Sequence, residues 1–309
     1  MPSTEIQADF ETAYYNRSGA EELMSRLVDE VLLAQGPMGS VLMSEEGASD
    51  VPAAYWNEVE PQEVSRIHEL YAASGAQLLI TNTFQASTPA LGRAGISSSA
   101  QQVNRAAVDC ARVACPQHLA GSIGPCGVDW LTVRSAEFRR ARDAYREQAH
   151  ALLACGVDAL MLETFTSVRD LEPALLGAGD VADGMPLLVS FAIDGSADLV
   201  GDGLSIEGAI LFAEKHGASA VGVNSCSIDA ANAAVRRMAR AARTPIMVRP
   251  GGDVPVRDDD KGLIWAEDPE AFERACRGWI EGGAHLIGGC CGTTARTTAS
   301  LAEALDRGR

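Results

Sequence analysis

Ser74-Gly75-Ala76-Gln77-Leu78-Leu79-Ile80-Thr81-Asn82-Thr83 joins a helix end, a glycine and a buried strand in one short stretch. Upstream, 61–75 carries Val64, Ile67, His68 and Tyr71 at helical spacing. It stops at Gly75, the residue type that closes helices in a left-handed conformation. Downstream, Leu78-Leu79-Ile80 is continuously apolar, as a strand covered on both faces should be. The same junction recurs at Cys155-Gly156-Val157, His216-Gly217-Ala218 and Gly282-Gly283-Ala284, each just ahead of another apolar run.

Eight such strands are expected, at 31–35, 77–83, 118–123, 158–163, 187–193, 220–224, 246–249 and 285–289. Amphipathic helices are expected at 61–75, 136–156, 205–217, 229–242, 268–283 and 294–307. Strands alternating with helices over this length predict a (β/α)8 TIM barrel, in the α/β class. A doubly wound open sheet is the runner-up, but no G-x-G-x-x-G follows a strand to favour it. Residues 1–27 are expected to form a short N-terminal helical extension, and 44–57 and 251–265 longer surface loops. No linker divides the chain, so 1–309 is expected to be a single barrel domain.

The bulk composition narrows the partners. The 309 residues carry a net charge of −17, with 47% hydrophobic and 22% charged residues. Such an acidic surface repels nucleic acid and anionic lipid, and neither is expected as a partner. No apolar run reaches the roughly 18 residues that span a bilayer. Met1-Pro2-Ser3-Thr4-Glu5 has no basic segment followed by an apolar one, so a cytoplasmic location is expected. Eight cysteines in such a chain point to metal or thiol chemistry rather than a disulfide scaffold.

In a barrel, functional groups gather at the C-terminal ends of the strands. That rule selects Gln35-Gly36-Pro37-Met38-Gly39, Thr81-Asn82-Thr83-Phe84, Ser122-Ile123-Gly124-Pro125, Glu163-Thr164, Asn224-Ser225-Cys226, Arg249-Pro250-Gly251-Gly252 and Gly289-Cys290-Cys291-Gly292-Thr293. Vicinal cysteines rarely bridge each other, but flanking glycines permit a turn that aims both at one metal. Cys226, from a neighbouring strand end, would complete three soft ligands. Zn²⁺ suits such a set and keeps a fourth position open. A substrate thiol entering there would lose its proton and become the nucleophile.

Glu163 ends an apolar strand, where an unpaired carboxylate is costly; it should meet a substrate ammonium or a protein arginine. Asn82 could orient a substrate or tie loops together. Ser122-Ile123-Gly124-Pro125 could present backbone amides to a carboxylate or form a tight turn. Cys110, Cys115, Cys126, Cys155 and Cys276 are expected in the core. His68 and His285 are expected to be structural. The Asp258-Asp259-Asp260 run is expected to be a solvated loop.

With these residues in hand, the chain resembles the homocysteine S-methyltransferase family, which includes betaine–homocysteine methyltransferases and the homocysteine-binding module of cobalamin-dependent methionine synthase. The most specific match is Gly288-Gly289-Cys290-Cys291-Gly292-Thr293-Thr294. Thr81-Asn82-Thr83-Phe84, Gly121-Ser122-Ile123-Gly124-Pro125, Glu163-Thr164 and Gly222-Val223-Asn224 add to it. The resemblance implies Zn²⁺ on Cys226, Cys290 and Cys291 and methyl transfer to a thiol, homocysteine giving methionine. It further implies an acceptor held by Glu163 with Gln35, Gly36, Asn82, Ser122 and Asn224. The donor would be a small sulfonium or quaternary ammonium compound, or a methylated corrinoid on a separate protein. Alternatives are another acceptor, or a non-catalytic zinc- or thiol-binding barrel acting as a subunit or sensor.

The chain departs from the family pattern in three places. Gln35 stands where the family has aspartate, and Arg249-Pro250-Gly251-Gly252 where it has a pattern closer to Pro-Asn-Ala-Gly. Ser225 separates Asn224 from Cys226, and a bulge there is expected to return Cys226 to the metal; the alternative is that Ser225 faces the site and zinc binding is weakened.

Overall fold

The apolar runs become the staves of a barrel in the computed structural model, which describes residues 15–46, 52–252, 256–258, 262–264 and 267–308. The strands are β1 Leu32–Leu33, β2 Leu78–Ile80, β3 His118–Ile123, β4 Ala159–Phe165, β5 Leu187–Ala192, β6 Ala220–Asn224, β7 Ile246–Arg249, β8 Val256–Asp258, β9 Gly262–Ile264 and β10 Ala284–Ile287. Eight of them form one parallel sheet in the order β1-β10-β7-β6-β5-β4-β3-β2. A parallel bridge between Ala34 and Leu78 joins the two ends. The expected (β/α)8 barrel is therefore the observed fold.

The helices are α1 Arg17–Asp29, α2 Gly39–Glu46, α3 Trp56–Val59, α4 Pro61–Ala73, α5 Thr88–Arg93 and α6 Ala100–Arg112 on the N-terminal side. They continue as α7 Ala136–Ala154, α8 Val168–Ala182, α9 Ile206–Lys215, α10 Ile228–Ala241, α11 Pro269–Glu281 and α12 Ala295–Gly308. No helix among the described residues is long and apolar enough to cross a membrane.

Two apolar layers follow from the period of two along each strand. One set of side chains fills the barrel, with Leu32, Ala34, Leu78, Ile80, Ala120, Ala159, Met161, Leu188, Ala220, Met247 and Leu286 in one buried cluster. The alternate set, including Leu33, Leu79, Leu160, Val189, Val221 and Ile287, packs with residues of the surrounding helices in a second cluster. Continuing the inward set toward the strand ends sends Ser122, Glu163, Asn224 and Arg249 to the C-terminal mouth.

Three expectations need correction. The N-terminal extension does more than decorate the barrel. Residues 1–14 lie outside the described residues, but Leu23 and Leu27 of α1 are fully buried with the barrel-filling side chains. Helix α1 thus closes the end opposite the strand C-termini. The Asn16 side chain caps it at Gly19 N and donates from Nδ2 to Asp158 Oδ1 at 2.6 Å, where β4 begins. The stretch read as a loop at 44–57 contains the end of α2, a 3-10 turn at Ala53–Tyr55 and the start of α3. The one read as a loop at 251–265 contains the antiparallel pair β8 and β9. Asp258 lies in β8; Asp259 and Asp260 lie outside the described residues.

Candidate active site

Strand β6 runs in unbroken register between β5 and β7 as far as Asn224, paired with Ala192 on one side and Arg249 on the other. No register shift marks a bulge in these pairings. The next residue, Ser225, has φ 51°, a left-handed conformation that few non-glycine residues adopt. This turn aims the Ser225 hydroxyl at the vicinal cysteines, with Oγ 3.1 Å from Cys290 Sγ and 3.9 Å from Cys291 Sγ. Cys226 does not line the cavity; it is buried in the cluster shared by the strands and helices, still near enough to Cys290 to feel its charge.

The Cys290-Cys291 turn is fixed from several sides. Cys290 N donates to Pro250 O at 2.8 Å, and Gly252 N donates to Cys291 O at 2.7 Å. Gly292 N donates to Ser40 Oγ at 3.1 Å. A Cβ on Gly289 would stand 2.1 Å from Thr293 Oγ1, and Gly292 has φ 83°, so both positions need glycine. Asn224 braces the sulfur end. Its Oδ1 accepts from Thr164 N at 3.0 Å and Ser190 Oγ at 2.9 Å. Its Nδ2 donates to Thr164 Oγ1 at 2.7 Å and lies 3.5 Å from Cys290 Sγ.

These groups open onto a cavity of about 560 Å³ that Gln35, Gly36, Asn82, Ser122, Glu163, Ser225, Arg249, Cys290 and Cys291 help to line. That volume suits a small molecule. Both oxygens of Glu163 are already engaged: Ser122 Oγ donates to Oε1, and Arg249 Nη1 donates to Oε2 at 2.7 Å. Arg249 Nη1 also lies 3.0 Å from Met161 Sδ. The cation that Glu163 was expected to meet is thus a protein arginine. Both partners are buried, with side chains only 9% and 4% exposed.

Gln35 Oε1 lies 3.0 Å from His68 Nδ1, so the amide is held from α4. Burial lowers the His68 pKa to about 3, and the ring is neutral at physiological pH. The unfolded chain therefore takes up a proton near pH 6.5 that the folded chain refuses until about pH 3. The His68 contribution to stability is complete above pH 6.5 and declines as pH falls toward 3. Urea titrations should show wild type losing more stability than His68→Gln over that window. Parallel pH profiles would contradict the assignment.

Asn82 ties loops together. Its Nδ2 donates to Ala53 O at 2.7 Å and Asn57 Oδ1 at 3.1 Å. Asn57 Nδ2 in turn donates to Asn82 O at 2.8 Å.

The thiols differ sharply. The Cys290 thiol is held below its ordinary value, first by its hydrogen bond with Cys291 and then, against burial, by the Arg249 charge and the Ser225 hydroxyl. The Cys291 thiol is pushed up by the same bond. Burial pushes Cys226 up to about 12. Cys110, Cys126 and Cys276 are buried as expected, whereas Cys155 is half-buried and Cys115 exposed. Cys115 follows the end of α6 with φ 47°, at a turn rather than in a strand.

The donor set can be compared with the three thiolates expected for zinc. Cys290 and Cys291 converge, and the group that joins them is a hydroxyl. Among the described residues no group of three or more His, Cys, Asp and Glu side chains is placed to hold a metal ion. The three-sulfur set does not fit this mouth. The sequence placed Ser225 and Arg249 at the rim, but not the particular sulfurs and carboxylate that they meet. The unusual Arg at a strand end was the available signal for the carboxylate pairing.

Comparison with known proteins agrees with this architecture. The family model described as homocysteine S-methyltransferase matches residues 32–305. The chain is 30% identical over 311 residues to a methionine synthase of Mycobacterium leprae, covering 93% of this chain and 25% of that protein. It is 28% identical over 309 residues to the methionine synthase of Mycobacterium tuberculosis, covering 92% of this chain and 25% of that protein. The chain thus spans about a quarter of the length of these relatives. The metallated homocysteine methyltransferase MmuM of Escherichia coli superposes with a TM-score of 0.74 at 22% identity, covering 90% of this chain and 98% of that one. At that identity the likeness is one of fold. The match across nearly the whole barrel places the chain in the homocysteine S-methyltransferase family, a family of methyltransferases.

Proposed function

We propose that this barrel transfers a methyl group to a small thiol bound in the mouth cavity, with homocysteine as acceptor and methionine as product. The observation that carries the proposal is the convergence of Cys290, Cys291 and Ser225 at one end of a cavity lined by Gln35, Ser122, Glu163 and Arg249. The acceptor sulfur lies at the cysteine end and its polar end meets Gln35 and Ser122. The Arg249 cation favours the thiolate form of a sulfur placed beside it. In the transfer the sulfur lone pair forms the S–C bond as the methyl carbon leaves the donor heteroatom, which departs with the bonding pair. The thiol proton passes to solvent before attack, so the acceptor reacts as a thiolate. Zinc, which the family resemblance implies, would find two thiols here and no third, and no step is assigned to it.

The donor class is a sulfonium, a quaternary ammonium compound or a methylcorrinoid carried by another protein. One observation favours a second acceptor class. Glu163 is neutralised by Arg249 and Gln35 carries no charge, so a thiol without an α-ammonium group loses less here than in a doubly acidic pocket.

The test offers the purified chain isotopically labelled methyl donors with either homocysteine or its des-amino analogue 4-mercaptobutyrate. Labelled thioether from one or both is expected by mass spectrometry. If neither thiol is methylated by S-methylmethionine, betaine or methylcobalamin, the proposal fails.

A further inference from the structure

Ser225 occupies the third corner of the cysteine cluster, and its placement is built into the backbone. Strand β6 keeps its register to Asn224, and the left-handed φ of 51° at Ser225 then separates the directions of residues 225 and 226. Oγ reaches both sulfurs, at 3.1 and 3.9 Å, while Cys226 is 6% exposed within the apolar layer. The Gly251 N to Cys226 O hydrogen bond of 2.9 Å anchors this backbone to the loop after β7. Moving the Cys226 side chain to the mouth would withdraw it from a packed layer, where vacated volume is destabilising.

We infer that the rim offers a soft divalent cation two sulfurs and one hydroxyl, with Ser225 as the third group and Cys226 taking no part. A neutral hydroxyl is a hard, weak donor toward zinc, whereas a thiolate is soft and charged. Wild-type protein therefore holds zinc weakly, and a single substitution, Ser225→Cys, creates a three-thiolate centre on the existing backbone. This rests on the mouth being the reacting end of the cavity, but its readout is metal binding. Its failure is thus distinct from failure of methyl transfer.

Zinc affinity is measured on the whole chain by competition with a chromophoric chelator. Changes in groups that merely orient ligands shift metal affinity by about 10–100-fold. Replacement of a ligand should reach at least the upper end, so Ser225→Cys is expected to bind zinc at least about 100-fold more tightly than wild type. Cys226→Ala should match wild type. Tight stoichiometric zinc in wild type that is lost in Cys226→Ala overturns the inference, as does no gain from a folded Ser225→Cys. Should that variant fail to fold, Co²⁺ added to wild type decides. Sulfur-to-metal absorption corresponding to two thiolates supports the inference, and three thiolates overturn it.

Discussion

Arg249→Met should lower the unfolding free energy by about 3–5 kcal/mol, the usual cost of leaving one charge of a buried pair uncompensated. Methionine keeps much of the arginine stem's volume, so the loss is chiefly electrostatic. The pair lies between β4 and β7 at the barrel mouth, with Arg249 Nη1 2.7 Å from Glu163 Oε2. Ser122 remains on the other carboxylate oxygen and moderates the loss. The same substitution frees one Glu163 oxygen toward the cavity, where a substrate ammonium could replace the guanidinium. Homocysteine should therefore stabilise Arg249→Met more than wild type in denaturant titrations, while 4-mercaptobutyrate should not. Equal stabilisation of both proteins by homocysteine would show that Arg249 does not govern recognition of the acceptor head group.

Leu23→Ala combined with Leu27→Ala should have an effect of similar or greater size. Each side chain is fully buried in the barrel-filling cluster, although both belong to a helix that precedes the first strand. A buried Leu→Ala change costs about 2–5 kcal/mol, depending on how far the neighbours collapse. The two positions are one helical turn apart and share a cavity, so their costs need not add. Chemical denaturation of the single and double variants measures the loss. A double variant within about 1 kcal/mol of wild type, near the range of a surface change, would show that α1 does not close the barrel.

The sequence revealed the barrel because each strand is a short apolar run and several follow a helix closed by glycine. Gly75, Gly156, Gly217 and Gly283 all have positive φ in the structure, as that reading requires. The closing function of α1 was hidden because Leu23 and Leu27 look like one apolar stripe on a polar helix, a pattern common to any amphipathic segment. Helix α8 was obscured by Pro173, which normally argues against a helix interior. Helix α6 was legible but passed over: Ser99 and Gln102 form a capping box at its start.

At the mouth, the vicinal cysteines stood out because Gly289, Cys290, Cys291 and Gly292 form a specific local pattern. Ser225 and Cys226 did not resolve themselves. The inserted residue left open which of the two faces the mouth, and the positive φ at Ser225, beyond the regular strand, decides it. No propensity rule places a left-handed serine. The Glu163–Arg249 pair was equally hidden, because it joins residues 86 positions apart and depends on which strands face each other across the barrel.

The most direct measurement is a crystal structure of the protein soaked with homocysteine, using sulfur anomalous scattering to place the acceptor. The expected result puts the acceptor sulfur within about 4 Å of Cys290 Sγ or Ser225 Oγ, with its polar end toward Gln35 and Ser122. An acceptor bound with its sulfur away from the cysteine turn, or outside the mouth cavity, would contradict the assignment of this mouth as a thiol methyl-transfer site.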